Sequence, residues 1–475
     1  MTIGMLTDNI LVEIFDFYRN NHDYTCYPVW QWHLLVHVCQ RWRQVVFASP
    51  RRLNLQIFCT ERTPVRKNLG IWPALPIVLG YCYLRSGLTS NDEDNVTAAL
   101  EHRDRVYCLE LHVTSLQSEK MASVMQKSFP ALTGLIMAEK DRNAPVLPDG
   151  FLGCSAPCLQ KIYLHGIPYP ALPTLLLSTS DLVGLVLRHI PPTGYISPEA
   201  MVVGLAALSR LEILYIEFQS TTSRPDQIRP PPVTRTVLPA LSLFRFRGAS
   251  EYLEDLLARI DGPQLIRIDI LYSNGLADFQ VAQLSKFVRR SVGPELNPFM
   301  PVQVGLSSGQ VKFTLYRHAN YPGSDPRPGI IISCGASDWR VSHMVQVLRQ
   351  FSTTLSTVIH LELGVHYELA AQLEEDRQLD DTNDFEWLHL LHPFSTVQTL
   401  RVDPGIAEHV ALALEDIPRE MVAEVLPSLD FLCLEDQPAP SVEKFIAARR
   451  LSDRPVTVVD TYLEFKKRLA SYIIE

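Results

Sequence analysis

Leu132-Thr133-Gly134-Leu135-Ile136-Met137, Leu159-Gln160-Lys161-Ile162-Tyr163-Leu164 and Leu182-Val183-Gly184-Leu185-Val186-Leu187 share one phrase, apolar-x-x-apolar-x-apolar. Its second half alternates, so two side chains enter a core and the residue between them stays on the open face of a strand. The phrase also occurs as Val106/Leu109/Leu111, Leu211/Leu214/Ile216, Leu241/Phe244/Phe246 and Leu265/Ile268/Ile270. Later instances are Val358/Leu361/Leu363, Val397/Leu400/Val402 and Leu429/Leu432/Leu434. The first seven begin at 106, 132, 159, 182, 211, 241 and 265, which is 23 to 30 residues apart. A unit of that length holds one strand and one helix or turn. It cannot bury its own apolar face, so neighbours must stack.

Such spacing is that of leucine-rich repeats. The fold class expected is α/β: a small N-terminal helical domain over 1–50, then an irregular leucine-rich-repeat-like solenoid over 51–475 with a curved parallel sheet and outer helices. Helical apolar spacing recurs in Ser118 to Ser128, Tyr252 to Ile260, Ala277 to Val292 and Trp339 to Phe351, and a helix is expected from Val96 to His102. Pro130, Pro157, Pro239, Pro263 and Pro427 would each stop a helix before the next strand. The asparagine of regular repeats is replaced by Thr114, Lys140, Ile167, Ile190, Gln219 and Ala249. Between about 272 and 357 the rhythm is lost, and Val311/Phe313/Leu315 and Ile330 to Ile332 suggest divergent repeats or a β-rich insertion. Arg224 to Arg235 and the acidic Glu374 to Glu386 read as loops, the second a solvated one.

The N-terminal stretch is patterned differently. Between Ile10 and Tyr18 only Glu13 and Asp16 are polar, so this helix needs cover on more than one side. A second helical pattern runs from Trp30 to Phe47, with Leu35, Val38, Trp42 and Val45 on one face. A unit of about 45 residues lies near the lower limit for independent folding. Its surplus apolar surface calls for another chain, or the rest of this one. After it, Leu53, Leu55 and Ile57 alternate as in a strand.

Leu6-Thr7-x-x-Ile10-Leu11-x-x-Ile14-Phe15, then Leu35-Val36-His37-Val38-Cys39-Gln40-Arg41-Trp42-Arg43, resembles an F-box. Ser49-Pro50-Arg51-Arg52-Leu53-Asn54-Leu55 and Ile71-Trp72-Pro73-Ala74-Leu75-Pro76 resemble the large mushroom-type (basidiomycete) fungal F-box family. The resemblance implies the substrate receptor of a Skp–cullin–F-box ubiquitin ligase, docked through the Skp adaptor and, through it, to cullin. Thr7 stands where the family has proline, and its hydroxyl can cap the helix.

Composition narrows the alternatives. With 47% hydrophobic and 20% charged residues over 475 positions, the chain is not disordered. A net charge of −9 argues against a general nucleic-acid binder. No secretory leader pattern opens the chain and no apolar run is long enough to span a bilayer, so no membrane partner is expected. Nine scattered cysteines suit reduced thiols, and an intracellular location in cytoplasm or nucleus is expected.

Motifs for chemistry have blander readings. Gly305-Leu306-Ser307-Ser308-Gly309 matches G-x-S-x-G, but alternating Val311, Phe313 and Leu315 follow, which reads as strand–turn–strand. His33 and His37 lie four apart with no further metal ligand at motif spacing, and read as a solvated or partner-facing edge. Cys154 and Cys158 lack a second pair and read as buried thiols at a bend. No nucleotide-binding fingerprint occurs. No cofactor, no metal and no catalysis by the chain itself are expected.

What remains is recognition. The adaptor-facing residues expected are Leu6, Ile10, Leu11, Ile14, Phe15, Leu35, Val38 and Trp42; Trp42 equally fits a bridge to the repeats. Arg41, Arg43, Arg51 and Arg52 fit either an acidic adaptor or a solvated helix end. On the open strand face, Tyr163, Arg188, Tyr215, Glu217, Arg245, Arg247, Asp269 and Arg401 are the substrate-contacting candidates, beside Glu110, His112, His165, Glu362, Asp403 and Glu435. The mixture of both charge signs with aromatics suits a protein partner. The alternative is a repeat scaffold outside any ligase, with Thr7 as its motivation.

Overall fold

The computed structural model describes residues 6–20, 31–60, 64–81, 90–139, 145–219, 234–272, 281–292, 301–307, 310–317, 327–335, 341–356, 358–365, 384–418, 421–422, 424–434 and 442–459. The chain forms two compact units, Met1–Ile196 with Val203–Leu211, and Ser197–Val202 with Glu212–Glu475. Both are α/β, with strands ordered largely in sequence and helices between them.

In the first unit, β1 (Ile57–Cys59), β2 (Ile77–Tyr81), β3 (Val106–Val113), β4 (Gly134–Glu139), β5 (Lys161–His165) and β6 (Gly184–Ile190) lie side by side in chain order, all parallel. Leu109, Leu135, Ile162 and Leu185 share one register row, and Leu111, Met137, Leu164 and Leu187 the next but one. Every apolar position of the ten phrases is 5% exposed or less. The first residue of nine phrases also closes a turn. Its N–H donates to the carbonyl three residues back, as from Leu132 to Phe129 and from Leu429 to Leu426, at 3.0 to 3.4 Å. The next residue starts the ladder: Thr133 N–H donates to the Tyr107 carbonyl and Gln160 N–H to that of Thr133. The phrase is thus a turn followed by a strand.

The second unit contains β7 (Ile213–Phe218), β8 (Thr236–Val237), β9 (Leu243–Gly248), β10 (Ile260–Asp261), β11 (Arg267–Tyr272), β12 (Pro301–Ser307), β13 (Gln310–Arg317), β14 (Arg327–Gly335), β15 (His360–Val365), β16 (Thr399–Val402), β17 (Phe431–Leu434) and β18 (Thr457–Val459). Its main sheet runs β7-β9-β11-β14-β13-β12-β15-β16-β17-β18, and β8 pairs with β10 apart from it. All main-sheet pairs are parallel except β12–β13 and β13–β14. Among its described residues, the stretch without rhythm therefore contributes a three-stranded β insertion to the plane of the sheet, flanked in sequence by helices. β12 ends at Ser307 and the antiparallel β13 begins at Gln310, so a strand and not a helix follows the G-x-S-x-G segment.

Helices fall near the expected places, at Ser90–Leu100, Ser115–Val124, Ser250–Arg259, Ala282–Val292 and Val341–Gln350. Glu254 on one of them accepts from the Gln283 and Leu284 N–H groups at 2.6 and 2.9 Å, capping its neighbour Ala282–Val292. Burial pushes its carboxyl up to about 7, against the pull of those two bonds. His360 is buried beside Thr399, its partner in register, and burial holds its imidazole down at about 4. One local expectation fails: Leu53 and Leu55 lie in a buried turn before β1 rather than in a strand, and only Ile57 of the three is in it. A further helix occupies Val65–Ile71.

Candidate interaction surfaces

Three helices form the N-terminal head: α1 (Asp8–Asn20), α2 (Gln31–Val38) and α3 (Gln40–Ala48). The single pattern expected from Trp30 to Phe47 breaks at Cys39, whose extended backbone (φ −159°, ψ 169°) caps α3, its Sγ accepting from the Trp42 N–H. That break turns α3 back against α1 and α2. Leu11, Val12 and Phe15 of α1 are buried, with Leu35 and Val36 of α2 and Val45 and Val46 of α3. Trp42 packs on Phe15 at 4.8 Å, so it joins α3 to α1 rather than bridging to the repeats.

The eight adaptor candidates therefore separate. Leu11, Phe15 and Leu35 hold the head together from inside, and Leu6 and Trp42 are half-buried. Ile10, Ile14 and Val38 are exposed, and with them Phe17 (67%) and Leu34 (61%), which sequence reasoning missed. Ile10, Ile14 and Phe17 form one stripe on α1, and Leu34 and Val38 another on α2, since residues three or four apart share a helix face. The helical period carries that signal, but sequence alone does not say which of two apolar faces turns inward.

Three of the four arginines near the head, Arg41, Arg43 and Arg52, are engaged within it. Arg41 bonds the Leu6 carbonyl and the Asp8 carboxylate, Arg43 the Val36 carbonyl, and Arg52 pairs with Glu13. Aromatic rings fasten the head to the strands that follow. Trp72 lies between the helix Val65–Ile71 and β2, edge-on to Trp32 at 5.4 Å and to His33 at 5.0 Å, with Phe47 at 6.2 Å. The Trp32 Nε1–H donates to the Gln56 carbonyl just before β1. His33, expected at a solvated or partner-facing edge, is half-buried in this cluster, and burial with the nearby His37 lowers its basicity. Cys158, expected to be buried, is exposed, while the Cys154 thiol donates to the Asp149 carbonyl. Among the described residues no group of His, Cys, Asp or Glu is arranged to hold a metal ion, and no helix is long and apolar enough to cross a membrane.

The open strand face is the second surface. In the first unit one row carries Glu110, Ile136, Tyr163 and Val186, and the next His112, Ala138, His165 and Arg188. His165 stacks edge-on against His189 at 4.7 Å. In the second unit Tyr215, Arg245 and Asp269 share a row across β7, β9 and β11, and Glu217 and Arg247 the next. Here the candidates touch. The Tyr215 hydroxyl donates to Glu217 at 2.7 Å, Arg247 pairs with Glu217 at 3.2 Å, and Arg245 pairs with Asp269 at 3.1 Å while its guanidinium lies 5.5 Å over the Tyr215 ring. Further along this sheet Arg401 joins Glu362 and Asp403 at 3.4 and 2.8 Å. Sequence reasoning missed Arg267, which shares Asp269 at 3.6 Å from the start of β11. Glu435 and most of the two expected loops, 224–233 and 374–383, lie outside the described residues, while the end of the second, Asp384 to Glu386, begins a helix, Asp384–Leu391.

No family matches the chain, and no curated protein matches it. Among solved structures, the leucine-rich repeat-containing protein LegL7 from Legionella pneumophila is similar at 14% identity, covering 74% of this chain and 92% of that one with a TM-score of 0.27. A superposition that loose carries no argument. The repeat character of this chain rests on its own strand register, its recurring turn and its interleaved helices.

Proposed function

We propose that this chain is the substrate-recognition subunit of a Skp–cullin–F-box ubiquitin ligase, an adaptor-type receptor with no chemistry of its own, acting inside the cell. The observation that carries the reading is the pair of uncovered apolar stripes, Ile10/Ile14/Phe17 and Leu34/Val38, on a head whose own core is already closed. Exposed apolar side chains grouped on one small helical unit suit docking by another protein. A few such anchors supply most of the energy of an interface. The Trp72 cluster would then hold the docked head against the repeats, and the open strand face would take the protein substrate. Catalysis would be proximity: a target lysine held near a ubiquitin-loaded enzyme reacts as if at high concentration.

The test is co-purification with the Skp adaptor. Ile14→Asp together with Val38→Asp changes only exposed positions, so the head should stay folded while adaptor capture is lost. If capture survives, the F-box reading is wrong and the chain is a repeat scaffold outside any ligase. Leu11→Asp would not serve, because it places a charge in the closed core of the head.

A further inference from the structure

We propose that the open face of β7, β9 and β11 receives an acidic, extended protein segment with carboxylates at alternate positions. The inference rests on the reading that this face takes a protein, and it does not depend on adaptor docking.

Depth separates the charges here. The carboxylates lie low, Glu217 with 1% of its side chain exposed and Asp269 with 25%. The cations stand high: Arg245, Arg247 and Arg267 expose 37%, 48% and 39% of their side chains. An approaching partner therefore meets three guanidinium groups and the Tyr215 ring before it meets either acid. Among the described residues of these three strands' open face, three cations against two anions give a positive balance, inside a chain of net charge −9. Local charge opposes global charge.

The arginines are also pre-set. Arg247 leans on Glu217, which the Tyr215 hydroxyl steadies from its other oxygen, and Arg245 is held by Asp269 and the ring beneath it. Side chains already fixed lose less entropy when a ligand arrives. The planar guanidinium fork matches a carboxylate better than a point charge does. Arg245 and Arg247 are two residues apart on one strand, which puts them about 6.5 Å from each other. An extended peptide repeats its same-side groups at the same interval, so alternate Asp or Glu residues would fall into step with them. The opposite end of this sheet lacks the property. There two acids, Glu362 and Asp403, flank one arginine, and Arg401 exposes only 15%.

Fluorescence anisotropy on the full chain tests the proposal, with a labelled peptide alternating Glu and Ser, its Lys–Ser counterpart, and one with the same residues in two blocks. The Glu–Ser peptide should bind, the Lys–Ser peptide should not, and the block peptide should bind several-fold more weakly. Arg245→Gln with Arg247→Gln should weaken the Glu–Ser peptide at least tenfold, and Glu362→Gln should leave it unchanged. Asp269→Asn, which removes a negative charge from the patch but keeps an oxygen that accepts from Arg245, should tighten binding severalfold and gives a readout of opposite sign should the double variant fold poorly. Equal binding of the Lys–Ser peptide, or Glu–Ser binding indifferent to both arginine and Asp269 substitutions, overturns the proposal. Adaptor capture by the same variants should be intact, so loss of peptide binding and loss of the ligase reading are distinguishable.

Discussion

β5 and β14 are both strands of repeat-built sheets, yet they read differently. In β5, Ile162 and Leu164 are buried while Lys161 is exposed and Tyr163 half-exposed. In β14, Ile330, Ile331 and Ile332 are all buried, and so is Thr314 opposite Ile331 on β13. One strand has an open face and the other is covered on both. A strand buried on both faces loses alternation and becomes a continuous apolar run. In β14 the closed face has removed the phrase although the sheet continues; in β17 the phrase survives with Cys433 buried between Leu432 and Leu434, since the phrase leaves that middle position unspecified.

The sharpest way to break this comparison is a charge at matched positions. Ile331→Lys and Tyr163→Lys both alter the face opposite the helices. The first should cost about 3 kcal/mol or more in urea unfolding, because it buries an amine. The second should stay within about 0.5 kcal/mol. Equal costs would show that both faces of both strands are alike.

The second unit offers a pH comparison of nearly equal size. Glu254 has a folded pKa of about 7, above the ordinary 4.5, so its contribution is full below 4.5 and is lost as pH rises to 7. His360 has a folded pKa of about 4, below 6.5, so its contribution is full above 6.5 and is lost as pH falls to 4. Each shift is worth about 3 kcal/mol by linkage, and the two oppose one another between pH 4.5 and 6.5. Thermal unfolding across that window should be flat in the native chain. Glu254→Gln should expose a steep loss on acidification, and His360→Asn a gain. Parallel curves for all three proteins would sink the assignment.

Trp72→Ala should cost about 2 kcal/mol through lost ring packing. Its effect should be local, with faster amide exchange in α2 and α3 and none in β5. The smallest effect belongs to the recurring turn. Thr133 donates its hydroxyl to the Tyr107 carbonyl at 2.9 Å from an exposed position, so Thr133→Val should cost about 1 kcal/mol or less by calorimetry.

Legibility followed the same division. Ten phrases announced ten strands because period-two burial is written in single residues such as Leu109 and Leu111. Ser307 could be set in a hairpin because Val311, Phe313 and Leu315 alternate. The break at Cys39 was hidden, since apolar spacing runs on across it through Val38 and Trp42 and only the backbone angle changes. The split between inward Leu11 and outward Ile14 was hidden too, for both are aliphatic on an over-apolar helix. Glu217 was named as a surface candidate from its place in the phrase. Its depth depends on Tyr215 and Arg247, one two residues earlier on the same strand and one on the next strand.

The insertion has a numerical property. Following partners across the sheet, Ile268 faces Ile330, then Leu315, then Val302, then Leu361. Ile270 likewise leads through Ile332, Phe313 and Val304 to Leu363. Two of the four pairings crossed are antiparallel, an even number of reversals, so β15 leaves the insertion pointing the same way as β11 entered it. The phase is kept as well as the parity. Removing all three and rejoining the chain would set Ile268 against Leu361 and Ile270 against Leu363 as an in-step parallel pair. The insertion is thus a spacer that lengthens the sheet without shifting its count.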